Sequence, residues 1–518
     1  MSKFVWEEGD VTISGAEAKG ISKLLIANRG EIAVRIIRTA RVMGIKTVAV
    51  YSDADVHAMH RELADESVCI GDPAPSDSYL RVDKILDAAE QAGADAIHPG
   101  YGFLSERADF SNACEEAGLK FVGPPATAME LLGAKISAKQ LAVKHGVPVT
   151  PGFFEQNANP AQLKDAASSI GYPVMLKASA GGGGRGMRIV RSADEFDQEL
   201  NIASDEALKA FGDGAMMVEK LVERPRHIEV QILADKHGNV APLFERECSV
   251  QRRHQKLIEE APAAANSGFW EPMRDAAVAL IKAAGYFGAG TVEFMLDPSS
   301  GDFYFLEVNA RLQVEHPVTE LVTGLDLVQW QLRIAAGERL DLAADLMEGH
   351  RTALNGHAME ARIVAEDPAQ NFLPSVGRIL AWAEPKAPGI RVDTGYGPGA
   401  EIPRHYDSLL AKVIAHGQTR DDAIARLLSA LEDFHILGVK TNIGYLLDVL
   451  RHPDFRAGNF DTGFLGRSFA DWTPRTEIPI ELGPIVAAAS QTQLAGSASN
   501  AKMTGVWDMA DDWRVEKN

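Results

Sequence analysis

The stretch LLIANRGEIAVRIIRTA, residues 24–40, sets the fold of the first domain. Leu24-Leu25-Ile26-Ala27 is a continuous apolar run of strand length, and Asn28-Arg29-Gly30 supplies turn chemistry. Ile32, Ile36 and Ala40 then recur at four-residue spacing and mark one face of an amphipathic helix. Thr47 to Tyr51 repeats the strand signal. A helix over Asp83 to Ala92 leads to a short strand at Ala96-Ile97, and a further helix precedes Lys120-Phe121-Val122. Strands separated by helices predict a doubly wound parallel sheet over residues 21–133, with residues 1–20 as an aperiodic arm.

Downstream the pattern changes. Arg226 to Asp235 alternates apolar and polar residues, His237-Gly238-Asn239 reads as a turn, and Val240 to Phe244 continues as a partner strand. A helix near Trp270 to Gly285 precedes a hairpin of Thr291 to Leu296 and Phe303 to Val308. These elements predict an α+β domain over 134–345, with residues 150–222 as a lid within it. A C-terminal mixed α+β domain over 350–468 carries strands Gly356 to Val364 and Leu409 to Ala415 and a helix at Asp421 to Phe434. Residues 469–518, rich in Ala, Ser and Gly, read as a linker or partner-docking tail.

Composition narrows the function. A chain of 518 residues suits two to four domains, and 46% apolar with 24% charged residues excludes wholesale disorder. Fifty-two basic against 72 acidic residues give a net charge of −20, which argues against nucleic acid or an anionic membrane as the main partner. Cys69, Cys114 and Cys248 are too scattered for a disulfide framework or a metal cluster. No signal peptide or membrane-length apolar run is present, and the expected location is the cytoplasm.

Four segments carry chemistry. Gly181-Gly182-Gly183-Gly184-Arg185-Gly186 follows the strand ending at Lys177; glycine loops let several backbone amides approach phosphate oxygens, though such runs also serve as linkers. The segment fits neither the Walker nor the Rossmann pattern. In the hairpin, Tyr304 opposite Leu296 would place Glu307 opposite Glu293. Facing carboxylates repel unless a cation lies between them, and Asn309 adds an oxygen ligand, which suits Mg²⁺ or Mn²⁺. The run from Asn309 to Pro317 sets Arg311, Gln313 and Glu315 side by side. That combination suits binding of a planar oxyanion with proton abstraction from it, or equally a local Arg311–Glu315 pair holding a loop. Glu247 to Lys256 concentrates positive charge and marks an anion pocket.

Taken in order, these residues resemble the biotin carboxylase family of ATP-grasp ligases. The match starts at Leu25 to Ala33 and passes through His98 to Leu104, the glycine loop, Glu219-Lys220, Pro225 to Glu229 and Gln251 to Lys256. It continues through Glu307 to Pro317 and His357 to Arg362 to a weaker similarity at Gly438 to Asn442. The resemblance implies that Lys135, Lys177, Gly183 and Gly184 contact ATP phosphates, the glycines within a mobile lid. Glu219, Lys220, Leu221, Val222, His227 and His254 would complete the nucleotide site. Glu293, Glu307 and Asn309 would hold the divalent metals. Lys256, Arg311, Gln313, Val314 and Glu315 would bind bicarbonate, with Glu315 as base. Arg362 would steady the biotin ureido oxygen, with Tyr101 and Gln251 nearby.

Two departures stand out: arginine at Arg107, where many relatives place asparagine, and a lengthened turn from Asp297 to Asp302. The chain also lacks a Met-Lys-Met biotinylation motif. The expected reading is therefore a biotin carboxylase subunit working with a separate biotin carboxyl carrier protein and a carboxyltransferase, as a homodimer within a larger complex. Its rivals are another ATP-grasp carboxylate–amine ligase and a non-catalytic assembly subunit.

Overall fold

The computed structural model describes residues 20–155, 158–179, 186–264 and 267–474. The arm, the tail beyond 474 and the loop carrying Gly183 and Gly184 lie outside the described residues. The chain divides into two units, Met1–Trp472 and Thr473–Asn518, and every sheet among the described residues belongs to the first.

The opening stretch forms strand β1 (Lys23–Ile26) and helix α1 (Gly30–Val42), whose Ile32, Ile36 and Ala40 are fully packed inside. With β2 (Lys46–Ser52), β3 (Glu66–Gly71), β4 (Ala96–His98) and β5 (Lys120–Phe121), β1 builds a five-stranded sheet in the order β3-β2-β1-β4-β5. Every pairing in it is parallel, as the strand–helix alternation predicts. Sequence reading omits β3. It is an edge strand with only Ile70 fully buried, so the alternation that signals a strand is absent.

Residues 152–220 build a separate four-stranded antiparallel sheet from β6 (Gly152–Phe153), β7 (Val174–Ala178), β8 (Met187–Val190) and β9 (Met216–Lys220), in the order β6-β9-β7-β8. Its core of Leu163, Leu176, Phe196, Leu200 and Val218 is distinct from the rest. This lets the subdomain move without opening the main core.

The remaining strands form one eight-stranded sheet. It runs β14 (Phe303–Asn309), β13 (Gly288–Leu296), β10 (Arg226–Ala234), β11 (Val240–Arg252), β12 (Gln255–Ala261) and β15 (His357–Val364), then Leu409–Gly417 and Ile390–Thr394. The break near residue 350 therefore falls inside a continuous sheet: β15 pairs antiparallel with β12, Ile258 facing Ala361. Val250, Leu257 and Ile258 accordingly pack into the C-terminal core. The N-terminal and central cores likewise merge into one hydrophobic cluster. No helix among the described residues is long and apolar enough to cross a membrane.

Candidate active site

Register places one row of charge across four strands of the large sheet. Arg246 on β11 opposes Glu229 on β10, Glu229 opposes Glu293 on β13, and Glu293 opposes Glu307 on β14. The sequence-predicted pairing of Glu293 with Glu307 is thus present, but Leu296 faces Phe303 and Met295 faces Tyr304. A bulge between Glu293 and Phe294 absorbs the one-residue difference that the sequence reading lacked. Two residues along the same face, Gln231, Thr291 and Asn309 form the adjoining row.

The two glutamates of the hairpin differ in surroundings. Glu293 accepts from Lys256 Nζ at 2.9 Å, Asn309 Nδ2 at 2.8 Å and Gln313 Nε2 at 3.0 Å, with His227 Nε2 at 3.0 Å. Burial would raise its pKa, but Lys256 and His227 hold it well below the ordinary carboxylate range. No hydrogen bond or ion pair reaches Glu307 among the described residues, and burial together with Glu293 pushes its pKa up, Lys135 opposing through space. A half-buried carboxylate destabilised in its charged form, beside a second carboxylate and an amide oxygen, is the donor set a hard divalent cation requires. The residues fit such an ion. His227, Glu229 and Glu293 also present ligand atoms within 4.8 Å of one another.

Lys256 is the electrostatic centre. Its ammonium lies 2.6 Å from Glu229, 2.9 Å from Glu293 and 2.7 Å from Glu315. Burial opposes its charge, yet these carboxylates keep its pKa well above the ordinary lysine range. Arg362 on β15 reaches Glu315 at 2.8 Å and donates through Nε to Glu259 at 2.6 Å. Burial would favour the neutral form of Glu315, but Lys256 and Arg362 hold its pKa well below the usual range. Glu315 is therefore ionised and doubly gripped.

Arg311 does not pair with Glu315. Its Nε donates to Glu106 at 2.9 Å, while the Ala310 amide donates to the other Glu106 oxygen at 3.1 Å. Of the two readings of the Arg311–Glu315 segment, the local pair is the one the geometry does not form. Arg107, the departure noted above, salt-bridges Asp109 at the surface, and Glu106 makes the contact with the site.

Of the residues expected around the nucleotide, Lys177 reaches Glu219 at 2.8 Å; that carboxylate is buried, lies 2.5 Å from Lys139 and accepts from the Thr150 hydroxyl at 3.0 Å. Burial would raise its pKa, but Lys177 and Lys139 bring it down to about 2. Lys220 Nζ donates to the Gly171 carbonyl at 2.8 Å, and the Leu221 amide to Pro173 at 3.2 Å. Arg253 and His254 turn β11 into β12 with φ of +50° and +65°, a turn usually made by Asn-Gly, and two bulky residues there cost about 1–3 kcal/mol each. Of the basic cluster before them, Arg252 pairs with Glu366 at 3.0 Å and lies over Phe372, which withdraws it from an anion role.

One cleft of about 1430 Å³ is lined by Tyr101, Lys135, Lys177, Glu219, Lys220, Leu221, Val222, His227, Gln251, His254, Lys256, Glu293, Glu307, Asn309, Arg311, Gln313, Val314, Glu315 and Arg362. An acidic row, a lysine cluster and an arginine-flanked carboxylate share this single concavity, which suits phosphoryl chemistry beside a small oxyanion. Residues 20–129 match the family model of the biotin carboxylase N-terminal domain and residues 360–467 that of the biotin carboxylase C-terminal domain. Residues 134–343 match the carbamoyl-phosphate synthase L chain ATP-binding domain. The chain belongs to the biotin carboxylase family.

Among relatives, it is 50% identical to biotin carboxylase 1 of Bacillus subtilis (strain 168), covering 86% of this chain and 98% of that protein. It is 48% identical to the methylcrotonoyl-CoA carboxylase subunit alpha of Rattus norvegicus, covering 90% of this chain but spanning only 65% of that protein. The Campylobacter jejuni biotin carboxylase crystallised as a β,γ-ATP complex superposes with a TM-score of 0.83 at 44% identity, covering 87% of this chain and all of that one. The biotin carboxylase domain of Hydrogenobacter thermophilus 2-oxoglutarate carboxylase, solved as a dimer with MgADP, ADP and bicarbonate, gives 0.82 at 46% identity over 86% of this chain and 98% of that one.

Within this family fold, sequence reasoning assigned no role to Glu106, Lys139, Glu229, Arg246, Glu259 and Lys412. Arg246 is fully buried and donates to Glu229, Gln231, Thr291, Thr319 and Gln313. It fixes Glu229, which accepts from Lys256, and Gln313, which donates to Glu293. A charged residue inside the strand run from Val240 is the signal that could have flagged it.

Proposed function

We propose that the chain performs the ATP- and bicarbonate-dependent carboxylation of biotin on a carrier protein, the first half-reaction of an acyl-CoA carboxylase. The observation that carries this is Glu315 held by Lys256 and Arg362 within the same cleft as the Glu219 lysine pair and the Glu293–Glu307 row.

Lys135, Lys177, His227 and His254 would position ATP with the base-side segment Glu219 to Val222, and Gly183 and Gly184 would close over its phosphates. Glu293, Glu307 and Asn309 would hold Mg²⁺ or Mn²⁺, which supplies charge neutralisation on the phosphates. Bicarbonate would sit against Lys256, Arg311, Gln313, the Val314 backbone and Glu315. The cations that depress the Glu315 pKa also make it a poor base at rest. As Lys256 turns toward the forming carbonate dianion, where Arg311 would join it, Glu315 loses the ammonium's stabilisation and gains basicity at the step that uses it. The dianion attacks the γ-phosphorus, ADP leaves, and carboxyphosphate results. Its breakdown gives CO₂ and phosphate; the phosphate takes the ureido N–H proton and the nitrogen attacks CO₂. Arg362, with Tyr101 and Gln251 near it, would stabilise the enolate-like ureido oxygen. The carrier and a carboxyltransferase would be partners, with the chain as a homodimer within the complex.

The test is ADP release by the purified protein with and without bicarbonate and free biotin. Release that needs bicarbonate and rises with biotin is expected. Release independent of bicarbonate would overturn the reading.

A further inference from the structure

Lys412 is a lysine with a fully inaccessible side chain, on the strand Leu409–Gly417. Across that strand it opposes Arg362 on one side and Asp393 on the other, so the three form a single row on one face. Arg362 reaches the Glu315 carboxylate at 2.8 Å, and Lys412 Nζ donates to the Val314 carbonyl at 2.9 Å. Cross-strand neighbours therefore hold consecutive residues of the segment Arg311–Glu315.

The preceding peptide is fixed as well, because the Gln313 carbonyl accepts from the His316 ring at 2.7 Å. In a planar trans peptide the N–H points opposite to the C=O, so pinning both carbonyls sets the direction of the Val314 and Glu315 amides. Lys412 is itself held from the first domain. Glu31 on α1 lies 3.3 Å away through Oε2, and its Oε1 accepts from the Tyr101 hydroxyl. The approach is close because Gly395 meets the start of α1: a Cβ there would stand 2.5 Å from the Gly30 carbonyl carbon. Glu31 and Asp393 thus converge from two segments on the Lys412 ammonium, which donates to one backbone oxygen.

We propose that Lys412 is a positioning residue for the small-oxyanion subsite, holding the Val314–Glu315 peptide so that its amides and the Glu315 carboxylate face bicarbonate. This rests on the function proposed above. A charge-assisted hydrogen bond lost from the anion site, with the nucleotide lysines untouched, acts on one substrate only. Lys412→Met should raise the KM for bicarbonate roughly 10- to 100-fold while leaving the KM for ATP within about two-fold. Lys412→Gln, whose amide can still donate to the Val314 carbonyl, should recover part of the loss.

The assay is bicarbonate-dependent ADP release at saturating ATP and then at saturating bicarbonate, with a melting curve for each variant. If Lys412→Met does not fold, Glu31→Gln decides: it loosens Lys412 while keeping an acceptor for Tyr101, and should raise the bicarbonate KM several-fold alone. Unchanged bicarbonate KM in the folded variant, or equal rises for both substrates, overturns the assignment. Wild-type protein lacking bicarbonate-dependent turnover would instead overturn the proposed function, so the two failures are distinguishable.

Discussion

Replacing Glu219 by Gln tests the proposed nucleotide side of the cleft. The carboxylate is 0% exposed and compensates two lysines, Lys139 and Lys177, at 2.5 and 2.8 Å. Holding its pKa at about 2 instead of 4.5 corresponds to about 3 kcal/mol of stabilisation. Removing one partner of a buried pair costs about 3–5 kcal/mol, which agrees. Because Glu219 sits on β9, between β6 and β7, the loss falls on opening of the residue 152–220 subdomain, whose core is its own. Amide hydrogen exchange of β7 and β9 should speed up by roughly two orders of magnitude, at about 1.4 kcal/mol per tenfold. The KM for ATP should rise with it, since Lys177 loses its anchor. The sign with pH follows from a depressed folded pKa: the contribution is present above the unfolded value near 4.5 and lost as pH falls toward 2. The wild-type advantage over the variant should hold from pH 8 to 5 and shrink below. Unchanged exchange and unchanged ATP KM at pH 7 would refute the idea that the pair supports this subdomain.

Three further outcomes follow from the same geometry. Glu307→Gln loses no protein partner and relieves repulsion with Glu293, so its melting temperature should equal or exceed the wild type while the Mg²⁺ or Mn²⁺ requirement for ADP release rises; normal metal dependence would remove the assignment. Glu315→Gln leaves Lys256 with Glu229 and Glu293 and Arg362 with Glu259, so fold and ATP affinity should survive while bicarbonate-dependent turnover falls by at least about 100-fold; wild-type turnover would end the general-base role. Glu360 is fully buried and neither oxygen has a hydrogen-bond partner among the described residues; burial pushes its pKa well up, Lys412 opposing and Glu259 adding to the rise. A raised carboxyl pKa lowers stability as pH climbs above the unfolded value, so Glu360→Gln should melt higher than wild type at pH 8 and lose that advantage toward pH 5; a variant less stable at pH 8 would contradict this.

Local period made much of the fold legible. Ile32, Ile36 and Ala40 announce α1, and the alternation from Arg226 announces β10, because one buried face leaves its spacing in the chain. The facing of Glu293 and Glu307 was legible only in outcome, since the bulge that produces it has no side-chain signature. Long-range partners were less accessible. Glu106 reaches Arg311 across 205 residues, and nothing beside either residue marks the pair. Lys412 shows where sequence reading ends. A single lysine in the run Leu409-Leu410-Ala411-Lys412-Val413-Ile414-Ala415 signals a buried cation with a purpose, since an unpaired ammonium could not remain inside. Its principal acceptor, however, is a backbone carbonyl, which every residue except the strand's own hydrogen-bonded neighbours could offer. Only assembly of the continuous sheet, with Arg362 beside Lys412 in register, selects Val314. Side-chain chemistry is written in the residue types, whereas the aim of a catalytic loop depends on which carbonyls the assembled fold brings to a buried charge.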